Sequence, residues 1–297
     1  MPARAVSKLV SGMYREDAVR ATAQNLRDEL GADPTFGLVF FSPDYAPHLE
    51  DFLEVIRLHG RVPLLAGCSG TGLIAGAEET ERRPGFALQL IHAPDCQVTA
   101  LTFDEDNVDD WEEPEQWVAA ATKQPDEVAT WLAFIDPFTV AADAWLQIWN
   151  EAYPDAPTFG GLASGRPGQT QSWVVLNDRP VEGGGLVLGL SGNLEILPVV
   201  SQGCRPIGEP LTVTSADDNI LHTLGQQSAF EVLNTVYEDL SAEEKMRARG
   251  SLFAGLAFSE YVEDFKRGDF LVRNIIGADP NHGSVAIGAL VRTGQTV

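Results

Sequence analysis

Cys68 and Ser69 sit in the densest special segment of the chain, Gly67-Cys68-Ser69-Gly70-Thr71-Gly72. A thiol or hydroxyl set among small residues can attack a carbonyl if a base and a lowered pKa are supplied. No histidine adjoins Cys68 or Cys204 in sequence, although a distant one could arrive through the fold. A small buried cysteine is the plainer reading, and a hydrolase using Cys68, Ser69 or Cys204 is an alternative. Cys96 has no special surroundings. The segment fails the standard phosphate patterns. The third glycine of a dinucleotide fingerprint falls one place late, at Gly76, with strand-like residues behind it. No Lys-Ser/Thr follows as in a P-loop. Thr71 stands where a nucleophile elbow needs glycine. What remains is physical: small residues at a strand end let a ligand approach the main chain, and turn N–H groups can cradle an anion. The competing reading is a tight structural turn.

Other chemistry-bearing residues are sparse. Arg166, Arg205 and Arg273 lie beside glycine turns or in a late strand, where a guanidinium fork could hold a carboxylate. Ordinary salt bridging to the surplus acids is the competing reading. His48 and His59 share a helix face but lie about 16 Å apart at 1.5 Å per residue, too far for one metal. No histidine pair has HxxxH spacing. Any single histidine could serve as an axial haem ligand. Residues 104–115 hold eight acidic side chains in twelve positions. They lack the glycine and ligand ladder of a calcium loop and read as a solvated loop or helix start. Arg267-Gly268-Asp269 reads as coincidence.

The chain must position these groups with 297 residues, 44% of them apolar, 20 Lys+Arg and 43 Asp+Glu, for a formal charge of -23. That charge argues against nucleic acid and anionic membrane as partners. Three widely spaced cysteines suit a reducing compartment. No apolar run approaches the ~18 residues of a membrane helix, and residues 1–10 lack a signal-peptide core. The expectation is a soluble, acidic, cytoplasmic protein.

Apolar spacing predicts a helix over 18–30 stopped by Gly31, a strand over 37–41, a helix over 49–58 ended by Gly60, and a strand over 64–67. Residues 73–74 and 86–91 read as a hairpin around the polar loop 78–84, and 98–103 as a further strand. Sliding the chain by 94 places Phe40-Phe41-Ser42-Pro43 on Phe134-Ile135-Asp136-Pro137, Pro63 on Pro157, and Ala66-Gly67 on Gly160-Gly161. The offset then drifts to 100, where 85–90 meets 185–190. A strand–helix–strand–hairpin unit therefore occurs twice, over about 37–91 and 131–190. The expected class is α+β. The duplicated units would pack as helix/sheet/sheet/helix layers, with a smaller α+β domain behind them. That tail reads as strands over 194–200, 211–214, 252–258, 270–276 and 284–291, a turn over 203–208, and a helix over 230–240. It stops without a closing helix, as a fragment would.

Three segments together resemble the FIST family (F-box and intracellular signal transduction). They are Leu64-Leu65-Ala66-Gly67-Cys68-Ser69-Gly70-Thr71-Gly72, Gln202-Gly203-Cys204-Arg205-Pro206-Ile207-Gly208 and Phe270-Leu271-Val272-Arg273-Asn274. The resemblance implies a FIST N domain over 1–222 and a partial FIST C domain over 223–297. It also implies a non-enzymatic sensory module of signal transduction, with a small-molecule ligand such as an amino acid and a possible signalling protein partner. No cofactor is implied for the main reading, and haem, as in a gas sensor, belongs to the alternative. A protein-interaction scaffold is a further alternative. The matching residues carried over are Gly67, Cys68, Ser69, Gly203, Cys204, Arg205, Arg273 and Asn274. The expected site is a cleft between the repeats, roofed by the C-terminal strands. There the N–H groups of Gly67, Cys68, Ser69, Gly70, Gly161, Ala163 and Ser164 would meet a carboxylate held by Arg166, Arg205 or Arg273.

Overall fold

The computed structural model describes residues 3–166, 168–192, 196–197, 203–260, 262, 264–266 and 268–297. It contains two compact units, residues 1–197 and 198–297, each mixing helices and sheets. The strand expected over 194–200, apart from Ile196 and Leu197, lies outside the described residues, as do Gln202 and Arg267.

The first unit begins with β1 (Arg4–Ser11), α1 (Glu16–Leu30), β2 (Phe36–Phe41), α2 (Leu49–Gly60) and β3 (Leu65–Ser69). It continues with β4 (Gly72–Ala75), β5 (Glu78–Glu81), β6 (Gly85–His92) and β7 (Cys96–Phe103), then α3 (Glu105–Asp110) and α4 (Pro114–Ala121). β8 (Thr130–Ile135), α5 (Ala142–Ala152), β9 (Thr158–Leu162), β10 (Val174–Leu176), β11 (Arg179–Pro180) and β12 (Gly185–Gly192) complete it. α1 forms because Val19, Ala23, Leu26 and Leu30 repeat on one face and are all buried. Gly31 then takes the left-handed conformation, φ 71°, that ends a helix. α2 buries Leu49, Phe52, Leu53 and Ile56 in the same manner.

One sheet has the order β1-β6-β2-β3-β10-β11 and the other β7-β12-β8-β9. The first four strands of the former and the whole of the latter follow the same plan. In each, the third strand pairs parallel with the fourth and antiparallel with the second. The ladders correct the sequence offsets. Val39 pairs with Gly67 and Ala133 with Gly160, so Gly67 corresponds to Gly160 at an offset of 93 and Cys68 to Gly161. Phe41 pairs with Phe86 and Ile135 with Gly185, so the last strands match at 99 rather than 100. A second correction concerns the hairpin. Leu73 and Ile74 pair with Thr80 and Glu79 in a separate two-stranded sheet. β6 instead lies between β1, which the apolar pattern did not announce, and β2.

Apolar clusters show what holds these layers. α1 and α2 bury their stripes against Val39, Phe41, Leu65, Phe86, Leu88 and Leu90. α4 and α5 do so against Phe103, Trp131, Ala133, Ile135 and Val187. The opposite strand faces, with Ala66, Cys68 and Phe40 from one sheet and Phe134, Leu186 and Leu188 from the other, share a further cluster. Phe40 and Phe134 stand 5.9 Å apart between ring centroids.

The second unit holds β13 (Val213–Asp217), β14 (Ile220–Leu224), β15 (Gln227–Ser228), α6 (Ala229–Glu238), α7 (Ala242–Ala248), β16 (Phe253–Ala257), β17 (Phe270–Asp279) and β18 (Ser284–Ile287). Its sheet runs β13-β14-β18-β17-β16, with β15 paired to β14. α6 and α7 both start in capping boxes, Ser228 with Glu231 and Ser241 with Glu244.

Candidate functional site

The two glycine corners meet directly. Each starts with a glycine for which no larger residue fits. Gly67 has φ +158° and Gly160 has φ +149°. An added Cβ would lie 1.7 Å from the Val39 carbonyl oxygen in one case and 1.9 Å from that of Ala133 in the other. The strands beyond them converge at Ser69 and Ser164. The Ser164 N–H donates to the Ser69 carbonyl at 2.9 Å. The Ser69 hydroxyl donates to the Ser164 carbonyl at 2.9 Å, and the Thr71 N–H donates to Ser164 Oγ at 3.0 Å.

This knot leaves nothing to receive a carboxylate. The Ser69 N–H donates to Trp173 O, Gly70 N–H to Phe41 O, and Ala163 N–H to Ile135 O, each at 2.8 Å. Ser69 Oγ also accepts from the Trp173 N–H at 3.0 Å. Ser69 and Ala163 are buried, and so are Gly67 and Cys68. The anion cradle expected at Gly67, Cys68, Ser69, Gly70, Gly161, Ala163 and Ser164 is therefore corrected to a seam that joins the two sheets. Its donors are spent on carbonyls that lie far away in sequence. Arg166 does not reach into the seam either: its guanidinium donates to Asp44 Oδ1 at 2.8 Å, on the surface.

The same burial settles the nucleophile question at this corner. Desolvation pushes the Cys68 thiol up to about 12, which suppresses the thiolate that would attack. Burial also raises Cys96. The Ser69 hydroxyl gives its proton to a carbonyl oxygen, not to a base.

The second unit holds a hollow of about 1530 Å³, above the common range of small-molecule pockets, about 300–1,000 Å³. Leu233, Val236 and Tyr237 on α6 face it, with Phe253 of β16 and Phe270 and Val272 of β17. Gly203, Cys204 and Arg205 of the expected site line it, together with Pro206, Ile207 and Gly208. Arg205 is fixed there by a 2.6 Å bond from its guanidinium to Glu244 Oε1. The Ser241 hydroxyl, the Ser241 N–H and then Arg205 hold the Glu244 carboxyl down to about 2. Arg247 likewise pairs with Glu243 at 2.6 Å, so both arginines of the wall are neutralised.

Arg273 and Asn274 belong to β17 but do not line this hollow, and the Arg273 guanidinium donates to the Val272 carbonyl at 3.1 Å. Sequence reasoning missed the α6 face and the phenylalanines 253, 258, 265 and 270. The sequence carried no signal for them, and it is the structure that leaves Phe253 and Phe258 44% and 63% exposed. None of the five histidines lines the hollow, so a histidine-ligated haem does not fit it. Among the described residues no group of three or more His, Cys, Asp or Glu side chains is placed to hold a metal ion. No described helix is long and apolar enough to cross a membrane.

The FIST N domain family matches residues 35–227. The chain belongs to the FIST family, and the F-box expansion of that name is wrong. Membership points to a sensory, small-ligand-binding role in signal transduction. An uncharacterized protein of Mycobacterium tuberculosis is 29% identical over 285 residues, covering 94% of this chain and 72% of the relative. Another, from Mycobacterium bovis, is 31% identical over 288 residues, covering 95% and 72%. A crystal structure of cyanuric acid hydrolase from A. caulinodans aligns with 69% of this chain and 70% of its own, at 13% identity and a TM-score of 0.27.

Proposed function

We propose that the protein is a non-enzymatic, cytoplasmic sensory module that binds a small ligand in the hollow of its second unit. FIST N spans 1–222 and FIST C spans 223–297 in this reading. The observation that carries it is a cavity of about 1530 Å³ lined by apolar residues such as Leu233, Val236, Phe253 and Phe270, with the Gly203-Cys204-Arg205 segment and Glu244 among its polar lining. An apolar wall holds a ligand by area removed from water, about 25 cal/mol per Å². A zwitterion such as an amino acid with an apolar side chain would bind at that edge by parting the Arg205–Glu244 pair, its carboxylate taking Arg205 and its ammonium Glu244. Gly203, Cys204 and Arg205 are the ligand-binding residues of this proposal.

Isothermal titration against amino acids and aromatic carboxylates tests it. Leu233→Trp crowds the hollow from α6 and should abolish the heat that the parent protein gives. It also places a tryptophan in the second unit, whose fluorescence checks that the variant is folded. A heat that survives this variant, or no heat from any compound, would sink the reading. The haem alternative has a narrower route here, through Cys204 or Tyr237 as the axial group. A Soret band that Cys204→Ala or Tyr237→Phe removes would favour it.

A further inference from the structure

The duplicated sheets differ at one edge. In the first sheet the outer edge of β3 is covered by β10, with Val174 opposite Cys68, Val175 opposite Gly67 and Leu176 opposite Ala66. In the second sheet the equivalent strand, β9, pairs with β8 and ends the sheet. The cause is linker length. β9 and β10 are joined by the eleven residues 163–173, enough chain to cross to the other sheet. β3 and β4 are joined by Gly70 and Thr71 alone, so the β4–β5 hairpin folds back on itself and cannot make the reciprocal crossing.

The vacant edge has a defined set of groups. Backbone direction alternates along a strand. Pro157 O and Ala163 N–H are bonded towards β8, through Trp131 N–H and Ile135 O. Thr158, Gly160 and Leu162 therefore point their N–H and C=O groups outward. Their counterparts in β3 are spent on the covering chain, where Ser69 N–H donates to Trp173 O and Leu65 O accepts from Asn177 N–H. In β9 none of the six outward groups has a hydrogen-bond partner among the described residues. Gly160, Gly161 and Leu162 are exposed. The strand Thr-Phe-Gly-Gly-Leu carries no charge and no internal proline, the usual guards of an open edge. The outer edges of β1 and β7 are equivalent to each other and neither is covered among the described residues, so β3 and β9 are the equivalent pair that differs.

We propose that β9 is an assembly edge at which two copies of this chain join, β9 antiparallel to β9, about a twofold axis through Gly160. In that register Gly160 faces Gly160 of the partner subunit, and Thr158 faces Leu162 of the partner subunit. The three outward N–H groups of each copy then donate to the three outward carbonyls of the other, and no group is left over. A twofold pairing closes at two copies, so it gives a dimer and not a filament. The two sheets become one of eight strands. Each copy carries a formal charge of -23, so association strengthens with salt as repulsion is screened within about 8 Å at 0.15 M.

Sedimentation equilibrium of the full chain between about 1 and 200 μM, at low and moderate salt, tests it. The expected mass is twice 32.1 kDa at the upper concentrations, with the dimer fraction rising with salt. Leu162→Pro removes an N–H that the fold does not use, and should give a monomer with unchanged tryptophan fluorescence. Hydrogen exchange on the unmodified protein is the second measurement, needed if that variant unfolds. The amides of Thr158, Gly160 and Leu162 should slow as concentration rises. A monomer under every condition, a dimer that survives Leu162→Pro, or fast exchange at these three amides at all concentrations would overturn the proposal.

Discussion

Replacing Ser69 with alanine separates a structural seam from a binding site. Ser69 Oγ donates to Ser164 O at 2.9 Å and accepts from Trp173 N–H at 3.0 Å, in a side chain 1% exposed. Alanine fits the space but orphans both partners. A buried group left without its hydrogen bond costs about 1–3 kcal/mol. Trp173 and Ser164 are both half-buried, so each partner can recover part of its loss from water. The expected total is about 3 kcal/mol. For a unit of this size that lowers Tm by roughly 6–12 °C. All six tryptophans lie in residues 1–197, so their fluorescence follows the unit that contains the seam. Ligand binding, measured by titration at a temperature where the variant is folded, should not change. A fall in Tm below about 2 °C, or lost binding at unchanged Tm, would refute the assignment.

Gly160→Ala should destabilise the first unit by about 3–5 kcal/mol, since its Cβ would enter the Ala133 carbonyl and the neighbour is backbone. Urea denaturation followed by tryptophan fluorescence checks this, and a loss under 1 kcal/mol contradicts it. Cysteine labelling at pH 8 should modify Cys204 alone in the folded protein, because burial raises Cys68 to about 12 and shifts Cys96 upward as well. Mass spectrometry of labelled peptides would show otherwise. Glu244 is held down to about 2, from 4.5, by Ser241 and then Arg205. A depressed carboxyl stabilises the fold above its unfolded pKa, and that contribution fades as pH falls through the folded value. The tie between Arg205 and α7 should therefore persist at pH 4 and open towards pH 2. Carboxyl chemical shifts read this directly, and a Glu244 midpoint near 4.5 would exclude the pairing.

What the sequence disclosed depended on whether a signal was local. α1, β2, α2 and β3 were legible because an amphipathic stripe or a short apolar run ends at a glycine or proline within the same window. β1 was not, since only Leu9 among its residues is buried, so it carries no apolar run, and its partner β6 lies some 80 positions on. The mispaired hairpin had the same origin. Nearness in sequence favoured joining 73–74 to 86–91, whereas the ladder placed β6 between β1 and β2. A sliding offset found both copies but missed by one at β3/β9 and again in the last strands, because only hydrogen-bond register locates the equivalence of Gly67 with Gly160 and of Phe86 with Gly185. The two glycine corners were identified as special from their composition. Whether their N–H groups were free could not be read there, since the acceptors Phe41, Ile135 and Trp173 stand 29, 28 and 104 residues from the donors Gly70, Ala163 and Ser69. In the second unit, Gly203, Cys204 and Arg205 were named for their motif. The apolar residues opposite them were passed over because phenylalanines spread over β16, β17 and the stretch between them form no motif.

The loan of β10 and β11 to the first sheet sets an order of events during synthesis. Residues 4–92 contain four strands of that sheet but not the two that finish it, which arrive only with residues 174–180. While the ribosome is still making the second copy, β3 waits with its outer row of amides bare. The amino-terminal half is therefore an obligate partner of its twin, unable to mature until about ninety further residues have emerged. A stop codon placed between the copies should yield a sticky, chaperone-bound product rather than half of a working protein.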